Sequence, residues 1–529
     1  MSHMLRNKVQ RKFRMRGYTL QVEALTEVLS FVTQYPDNEN EAIDLLLDNL
    51  QFLSLKSAIL DKETVAKVVS DLLEAAAAGD ENPNTPIGFG GSALRIINVF
   101  DVPKYRYDKT KKTFYEYAGR LPLHGDSSAK INVYRDRFLL LSQRLSRQPE
   151  FSKPAFDFDI SEYRTCEISP IQSLVGRLGR TWIMGLISQL EDGHFYLEDL
   201  NAAVEIDFSD AKITTGFFVE NSVVVAEGEM LPNGVFKAET CGFPPLEDRE
   251  KSVTFCAGLD FFGGGTFTKE ETLLLQEMET RAVKDMFVIL SDVWLDNEET
   301  MGNLETVFNG FENVDVVPSL FVFMGNFCSH PCNLAFNSYS DLRSQFGKLG
   351  QMIASHQRLM EHCRFLFIPG PDDVGPSTAL PRCPLPKYIT EELQKHVPTA
   401  IFSSNPCRVK FYTQEIVFFR QDLLYRMRRS CLIPYLKEEA SDPFQHLVDT
   451  IIHQSHLCPL PLSLQPIIWN YDHCLHLYPT PHTIVLGDKS EQRVHTYKGV
   501  TCLNPGSFSN DSTFVAYRPC TREVELSNL

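Results

Sequence analysis

The chain has 529 residues, of which 43% are hydrophobic and 22% are charged. A chain of this length predicts about two to four domains, each large enough to bury its own core. Its 51 lysines and arginines stand against 68 aspartates and glutamates, which gives a formal charge of −17. That charge repels phosphate backbones, so any contact with nucleic acid must be local.

The cysteines and the apolar runs bear on the compartment. Thirteen cysteines are scattered without paired spacing, which favours a reducing compartment over a disulfide framework. The chain lacks a run of eighteen apolar residues and an apolar N-terminal signal, so we expect no membrane span and a cytosolic or nuclear protein. Cys328, His330 and Cys332 form a tight cluster, but zinc would need two further ligands at suitable spacing. No cofactor is therefore predicted.

Residues 1–79 are predicted to form a small helical domain. Apolar residues recur there at i, i+3, i+4 and i+7, which is typical of helices with one buried side. The three sets are Leu25, Val28, Leu29 and Val32; Ile43, Leu46, Leu47 and Leu50; and Val65, Val68, Val69 and Leu72. A shorter basic helix precedes them, with cations that include Arg11, Lys12, Arg14 and Arg16. A solvated helix face explains these cations, and docking to an acidic partner or nucleic acid is the alternative.

Residues 80–160 are predicted to form a linker and a connector segment. Residues 79–91 are rich in Gly, Pro, Asn and Asp, which is typical of a flexible linker. Residues 94–107 have strand character. Residues 131–151 predict a helix with Phe138, Leu141 and Leu145 along one side.

Residues 161–255 are predicted to form an OB-fold β-barrel. Five or six short strands with alternating apolar residues, separated by Gly, Asp and Asn turns, fall within about 80 residues. Between residues 165 and 250 there are 5 Lys and Arg against 15 Asp and Glu, a formal charge of −10. A barrel that binds single strands needs a positive groove with exposed aromatic rings. We therefore expect this barrel to bind protein and not single-stranded DNA.

Residues 256–529 are predicted to form a layered α/β domain. Apolar runs that start at Phe287, Phe321 and Phe365 each end in a turn rich in Gly, Asp or Asn. Ligands of such sheets bind beyond the carboxyl ends of the strands, where these turns lie. Three consecutive glycines at residues 263–265 lack the context of a phosphate loop and are interpreted as a hinge into this domain. The predicted fold class is a multidomain α/β protein with an all-α N-terminal module.

The order of the turns resembles the calcineurin-like metallophosphoesterases, whose strand ends carry D-x-H, G-D-x-x-D, G-N-H-D/E, a lone His and G-H-x-H. A two-metal site needs those carboxylates and imidazoles to hold two cations and activate water. Here Trp294 stands in place of the His that would follow Asp292, and Asn326 stands in place of the bridging carboxylate. The other altered positions are Ser329, Pro371, Asp372, Asp373, Arg420, Asp488 and Ser490. The resemblance predicts an inactive phosphoesterase sandwich without a metal.

Two further clusters lie in the C-terminal half. Arg426, Arg428 and Arg429 lie on a predicted helix, where a charged helix face is the simpler interpretation and contact with DNA or an acidic subunit is the alternative. Six histidines look like a metal cluster, but their spacings fit no single site, so core or surface positions are predicted. They are His446, His453, His456, His473, His476 and His482.

Three stretches resemble the B-subunit family of replicative DNA polymerases. They are residues 190–199 (LEDGHFYLED), 225–228 (VAEG) and 502–508 (CLNPGSF). The helical N-terminal domain favours the epsilon branch of that family. The resemblance implies a non-catalytic accessory subunit that acts in DNA replication in the nucleus.

The resemblance also implies the partners. The OB and phosphoesterase-like domains would hold the zinc-containing C-terminal region of the polymerase catalytic subunit, and the N-terminal helices would link the polymerase to the replicative helicase through the GINS complex. Small histone-fold subunits complete the implied complex, and contact with DNA is expected to be indirect. The alternatives are a divergent metallophosphoesterase or nuclease and an OB protein that binds single-stranded DNA.

Overall fold

The structure is a computed structural model of the chain. It describes residues 93–151, 166–177, 179–191, 193–332, 336–433 and 442–529. Of the first 92 residues it describes 6, 9, 12–14, 18–32, 43, 46, 47, 59, 60, 62, 65, 68 and 69. The chain divides into two units, Met1–Ser92 and Ala93–Leu529.

The N-terminal unit buries one side of its helical segments, as the apolar spacing predicts. Helix α1 (Val22–Val32) buries Leu25, Val28 and Val32 and half-buries Leu29. Other buried apolar residues of this unit include Val9, Phe13, Ile43, Leu46, Leu47, Val65 and Val68. The helical assignment of these positions is confirmed.

The expectation of helix throughout this unit was wrong at two places. Strands β1 (Thr19–Leu20) and β2 (Ile59–Leu60) pair in parallel. Such short strands have no sequence period of their own, because only the tertiary pairing supplies their hydrogen bonds. Leu50, Leu72 and the predicted linker at 79–91 lie outside the described residues.

Regular structure follows where a connector was predicted. The elements are strands β3 (Leu94–Asn98), β4 (Tyr105–Asp108) and β5 (Thr113–Glu116) and helix α2 (Ser127–Leu145). The predicted strand and helix are confirmed, although the helix starts four residues earlier and ends six residues earlier than the predicted range of 131–151. Strands β4 and β5 form an antiparallel hairpin.

Six further strands form a barrel, in agreement with the five or six predicted. They are β6 (Thr181–Glu191), β7 (His194–Glu198), β8 (Ala203–Asp207), β9 (Lys212–Ile213), β10 (Val223–Met230) and β11 (Val235–Gly242). Their order is β10-β6-β7-β8-β11-β9, and β10 also pairs with β11. Ile183, Leu197, Val224 and Phe236 are buried together inside. Helix α2 covers one side of the barrel with the predicted Phe138, Leu141 and Leu145.

The segment after the barrel contains helices α3 (Arg249–Phe255) and α4 (Lys269–Arg281), with the three glycines between them. Gly263, Gly264 and Gly265 all have positive φ, a conformation that favours glycine. The amides of Gly263 and Gly265 donate to the carboxylate of Asp260 at 2.9 and 2.6 Å. The loop is therefore folded around an internal carboxylate instead of a phosphate.

Two six-stranded sheets of the second unit pack face to face. Strands of the first sheet are β12 (Phe287–Ser291), β13 (Leu320–Met324), β14 (Arg364–Ile368), β15 (Ile401–Phe402), β21 (Thr513–Arg518) and β22 (Glu523–Asn528). Strands of the second are β3 with β16 (Cys407–Phe411), β17 (Gln414–Arg420), β18 (Thr483–Gly487), β19 (Arg493–Tyr497) and β20 (Val500–Asn504). The orders are β15-β14-β13-β12-β21-β22 and β19-β20-β18-β17-β16-β3. Ile289 and Val322 of the first sheet share one core with Phe418 and Val485 of the second.

Helices cover the outer faces of both sheets. Those that share a core with the first sheet are α5 (Glu298–Glu312), α6 (Phe336–Ser355), α7 (Gln357–His362) and α8 (Lys387–His396). The second sheet shares a core with α9 (Leu424–Arg429) and α10 (Pro443–His453). A short helix α11 (Phe508–Asp511) follows β20. This layering places the carboxyl ends of β12, β13, β14, β17 and β18 along one edge.

The barrel and the sandwich are joined by hydrogen bonds as well as by apolar contacts. Gln454 bonds the backbone of Val223 twice, at 2.8 and 2.9 Å. The amide of Phe217 donates to Thr450 Oγ1 at 2.8 Å, and the amide of Leu432 donates to the carbonyl of Phe218 at 2.8 Å. Because backbone groups take part, the barrel cannot turn against the sandwich without breaking several bonds.

Candidate functional site at the strand ends

The first altered motif follows β12 and is held by its own hydrogen bonds. Asp292 is buried, and its φ of 61° lies in the left-handed region. Its Oδ2 accepts from Ser507 Oγ at 2.7 Å, and its Oδ1 accepts from Trp294 Nε1 at 3.2 Å. The indole that replaces the expected His therefore donates a hydrogen bond to the carboxylate, a role opposite to that of a metal ligand.

The second and third motifs bond to each other. Asn326 Nδ2 donates to Asp372 Oδ2, and the Asp372 amide donates to Asn326 Oδ1, both at 3.0 Å. Asp373 is buried and accepts from the amides of Phe327 and Gly370 at 2.8 and 2.7 Å. Burial raises the pKa of Asp373, and these two amide bonds oppose that shift.

Two predicted positions do not join this centre. Ser329 is exposed and donates through Oγ to Asp296 Oδ2 at 2.6 Å, while Asp296 also pairs with His330 at 3.3 Å. Pro371 contributes only its carbonyl, which accepts a bond from Arg382.

The predicted Asp488 and Ser490 bond to one another through the Ser490 amide and Asp488 Oδ1 at 2.9 Å.

Asp488 organises the start of helix α9. Its Oδ2 accepts from the amides of Leu423 and Leu424 at 2.5 and 3.0 Å. Its own amide donates to Asn504 Oδ1 at 3.1 Å. A carboxylate that accepts the first amides of a helix is a structural cap.

Arg420 connects four of these five strand ends, those of β12, β13, β17 and β18. It is fully buried at the end of β17. Its guanidinium donates to the carboxylates of Asp292 and Asp422 at 3.3 and 2.8 Å and to the carbonyls of Gly325 and Gly487. Burial by itself would lower the pKa of Arg420, but Asp422 and Asp292 outweigh it, so the pKa is raised and the group stays charged.

These residues do not fit a two-metal centre. The site has Asn326 at the bridging position, the oxygens of Asp488 accept backbone amides, and Asp292 already accepts from Ser507, Trp294 and Arg420. A guanidinium occupies the space between the carboxylates, and a divalent cation there would meet a buried positive charge.

Two of the six histidines lie together, which their spacing in the sequence does not reveal. The Nε2 atoms of His456 and His476 lie 3.2 and 3.1 Å from the two oxygens of Asp472. His456 and His473 are buried, in agreement with core positions. The three residues meet because residues 456 and 476 form an isolated antiparallel bridge, which spacing alone does not reveal.

The hydrogen-bond pattern opposes a metal at Asp472. The Cys458 amide donates to His456 Nδ1 at 3.0 Å, so the proton of the neutral imidazole lies on Nε2 and points at Asp472. Burial and Arg137 lower the pKa of His456 to about 3, so the ring is neutral. Arg137 donates to both oxygens of Asp472 at 3.0 and 2.5 Å. The cluster is therefore a buried ion pair with two imidazole donors.

The basic residues predicted as partner contacts are described only in part. Arg11 and Arg16 lie outside the described residues; Arg14 is exposed and Lys12 half-buried. On α9, Arg426 donates to Gln465 Oε1 at 2.8 Å, whereas Arg428 and Arg429 are exposed and make no ion pair with another described residue. Sequence reasoning missed Asp422, Ser507 and Arg382. Asp422 stands two residues after Arg420, and Ser507 lies in the CLNPGSF stretch, so both had a local signal.

The comparisons with known proteins agree across the chain. The family model for the B subunit of DNA polymerase alpha/epsilon matches residues 287–495, and the model for the OB-fold domain of DNA polymerase epsilon subunit 2-like proteins matches residues 127–245. The DNA polymerase epsilon B subunit of Arabidopsis thaliana is 65% identical, with 99% of each chain covered. The chain belongs to the family of DNA polymerase epsilon B subunits. An animal relative is human DNA polymerase epsilon subunit 2, which is 32% identical, with 99% of this chain and 98% of the human chain covered.

Family membership establishes the coarse function. The chain is an accessory subunit of DNA polymerase epsilon and acts in DNA replication. Its barrel is the OB-fold domain of the family. A solved archaeal phosphodiesterase aligns with 46% of this chain and 99% of its own at 10% identity, with a TM-score of 0.25, a similarity that supports no inference about this chain. In the described part of the chain, no helix is long and apolar enough to cross a membrane.

Proposed function

We propose that this subunit is a non-catalytic scaffold in the nucleus. The OB barrel and the inactive phosphoesterase-like sandwich hold the zinc-containing C-terminal region of the catalytic subunit of DNA polymerase epsilon. The observation that carries the proposal is Arg420, because its buried guanidinium bonds Asp292 and Asp422 where a phosphoesterase would hold its metals. A site arranged in this way stabilises strand ends and does not activate water.

The barrel has the charge expected of a protein-binding module. Of its few cations, Arg180 pairs with Glu239 at 2.9 Å and Lys237 pairs with Asp210 at 2.8 Å. Phe217 and Phe218 are buried, so they are not available to stack on bases. These features support a partner with a basic or zinc-bearing surface and oppose the alternative of a single-strand binding protein.

The N-terminal unit serves a different partner in this proposal. Its helices link the polymerase to the replicative helicase through the GINS complex, and small histone-fold subunits complete the assembly. The separation of the chain into the units Met1–Ser92 and Ala93–Leu529 supports this division. The domain limits of 1–79, 80–160, 161–255 and 256–529 are part of the proposal.

Two deletions of different length test the division of partners. A chain that starts at Gly91 keeps β3, whereas a chain that starts at Lys104 loses the buried Leu94 and Ile97 of β3 and the buried Val99 that follows it. We expect the first to copurify with the catalytic subunit's C-terminal region and to lose the GINS contact. The second should be unstable, because a strand of the sheet is missing. Loss of the catalytic subunit with retention of GINS in the first deletion would contradict the assignment.

A further inference from the structure

The structure contains more than one fully buried arginine, and their surroundings differ. Arg408 hydrogen-bonds the carbonyls of Phe261 and His476 at 2.7 and 2.9 Å. Arg144 bonds the carbonyls of Pro244 and His453 and the hydroxyl of Ser455. Both are buried arginines that connect segments through uncharged acceptors. Burial lowers the pKa of each of them.

Arg420 differs because it is surrounded by anions. Two carboxylates accept from it directly, Asp292 and Asp422, and Asp488 lies close enough to raise its pKa. The other acceptors are the carbonyl oxygens of Gly325 and Gly487. Carboxylate and carbonyl oxygens are also the ligands that Mg²⁺ and Mn²⁺ prefer.

The acceptors come from segments that are far apart in the chain. Asp292 follows β12, Gly325 follows β13, Gly487 ends β18, and Asp422 follows Arg420 itself. One cation therefore ties the strand ends of the first sheet to those of the second. A Cβ at Gly487 would lie 2.2 Å from the methyl of Met324 and 3.0 Å from Arg420 Cδ, so the side chain fills its space closely.

We propose that Arg420 is a tethered cation that replaces the metal ions of the phosphoesterase-like site, and that its removal leaves a site for free guanidinium or a divalent cation. The inference goes beyond the scaffold function and does not depend on which partner is held. Without the guanidinium, the buried Asp292 and the partly exposed Asp422 would each lose a direct donor, beside the free carbonyl oxygens of Gly325 and Gly487. Uncompensated buried charges attract any cation that can reach them.

The test is cation rescue of the full-length chain. Arg420→Ala should lower the Tm by roughly 3–5 °C, because it leaves the buried Asp292 without its cation and removes the closer of the two cations beside Asp422. About 1 mM MnCl2, or about 10 mM guanidinium chloride, should restore at least half of that loss through binding to the folded state, compared with NaCl at equal ionic strength. Arg408→Ala is the matched control: it removes an equally buried arginine whose acceptors are carbonyls, so MnCl2 should not restore it.

Arg420→Lys and the wild-type chain complete the test. The lysine variant keeps a tethered cation, so MnCl2 should not raise its Tm. The wild-type chain should bind no Mn²⁺ in an electron paramagnetic resonance titration, because the guanidinium already occupies the site. The proposal is overturned if neither ligand raises the Tm of Arg420→Ala, if MnCl2 raises Arg408→Ala equally, or if the wild-type chain binds Mn²⁺ in a way that Asp292→Asn abolishes.

Discussion

Two places in the second unit combine residue types that are typical of metal sites, and a guanidinium occupies both. At the strand ends, Arg420 lies between Asp292 and Asp422. In the second place, Arg137 makes a paired contact with Asp472, to which His456 and His476 also point. The difference is in the number of anions: Arg420 has two carboxylate partners, whereas Arg137 depends on one.

The comparison shows how buried carboxylates can be neutralised without a metal. A guanidinium is planar, stays charged and presents several donors in fixed directions. At the Arg420 site two carboxylates share one guanidinium, so the loss of either carboxylate still leaves Arg420 with an anion. At the Arg137 site one carboxylate accepts from Arg137, His456 and His476, so its loss leaves all three donors without this acceptor.

The largest expected effect is at the second place. Asp472→Asn should lower the free energy of unfolding by about 3–5 kcal/mol, because it leaves Arg137 charged and buried without an anion. Urea unfolding followed by fluorescence and circular dichroism measures the change. The exposed change Asp210→Asn is a suitable control, since its pair with Lys237 lies at the surface. If Asp472→Asn lowered the free energy of unfolding by less than Asp292→Asn does, the order of the two effects expected from the comparison would be wrong.

Acid sensitivity should also come from His456 of the second place and from three other histidines of the second unit. Burial is the main cause that lowers the pKa of His456 to about 3, His473 to about 3, His453 to about 4 and His482 to about 2. The unfolded chain takes up these protons below pH about 6.5, while the folded chain does not, so stability falls as the pH drops from about 6.5.

The measurement is the free energy of unfolding between about pH 7 and pH 5. Each buried histidine should contribute up to about 1.4 kcal/mol per pH unit below about 6.5. His456→Gln should make the slope of the free energy of unfolding against pH shallower by the contribution of one histidine. His330→Gln, which changes an exposed side chain, should leave that slope unchanged. Equal slopes for His456→Gln and the wild-type chain would show that His456 takes up its proton in the folded state.

A smaller loss is expected at the strand ends. Asp292→Asn should cost about 1–3 kcal/mol, because Arg420 keeps Asp422 and two carbonyl acceptors, and the amide can still bond Ser507. The double variant Asp292→Asn with Asp422→Asn should lose more than the sum of the two single changes, since the guanidinium then has no anion in direct contact. Strict additivity would indicate that the two carboxylates do not share one cation.

The smallest effect concerns cations that bind no anion among the described residues. Arg428→Glu with Arg429→Glu should change the free energy of unfolding by no more than about 0.5 kcal/mol, because both side chains are exposed. Neither the wild-type chain nor this variant should bind labelled oligo-dT at physiological salt, as measured by fluorescence anisotropy. Salt-sensitive binding by the wild-type chain that the variant lacks would instead favour direct contact with DNA.

Local pattern was sufficient for much of the architecture. The continuous apolar runs at Phe287, Phe321 and Phe365 are the central strands β12, β13 and β14, because a strand covered on both faces has no polar side. Alternation and turn residues were enough for the six strands of the barrel. The pair β1 and β2 was missed, since strands of two residues carry no period.

For the candidate site, the sequence predicted only which metal ligands are replaced. The replaced ligands at Trp294 and Asn326 can be read from the motifs, but the function of Arg420 cannot, since its acceptors follow four different strands. Asp422 and Ser507 had a local signal, near Arg420 and in the CLNPGSF stretch, but that signal does not tell which group each would bond. Their importance comes from the folded arrangement that points them at Arg420 and Asp292.

By itself the sequence determined the family and the strand runs, and it predicted the loss of the usual metal ligands, because these depend on residues that are neighbours in the chain. Only the tertiary structure decided what neutralises the remaining carboxylates. Arg137 and Asp472 are 335 positions apart, and Arg420 and Asp292 are 128 apart. A buried charge must find its partner in three dimensions, and no local spacing records which cation the fold brings to it.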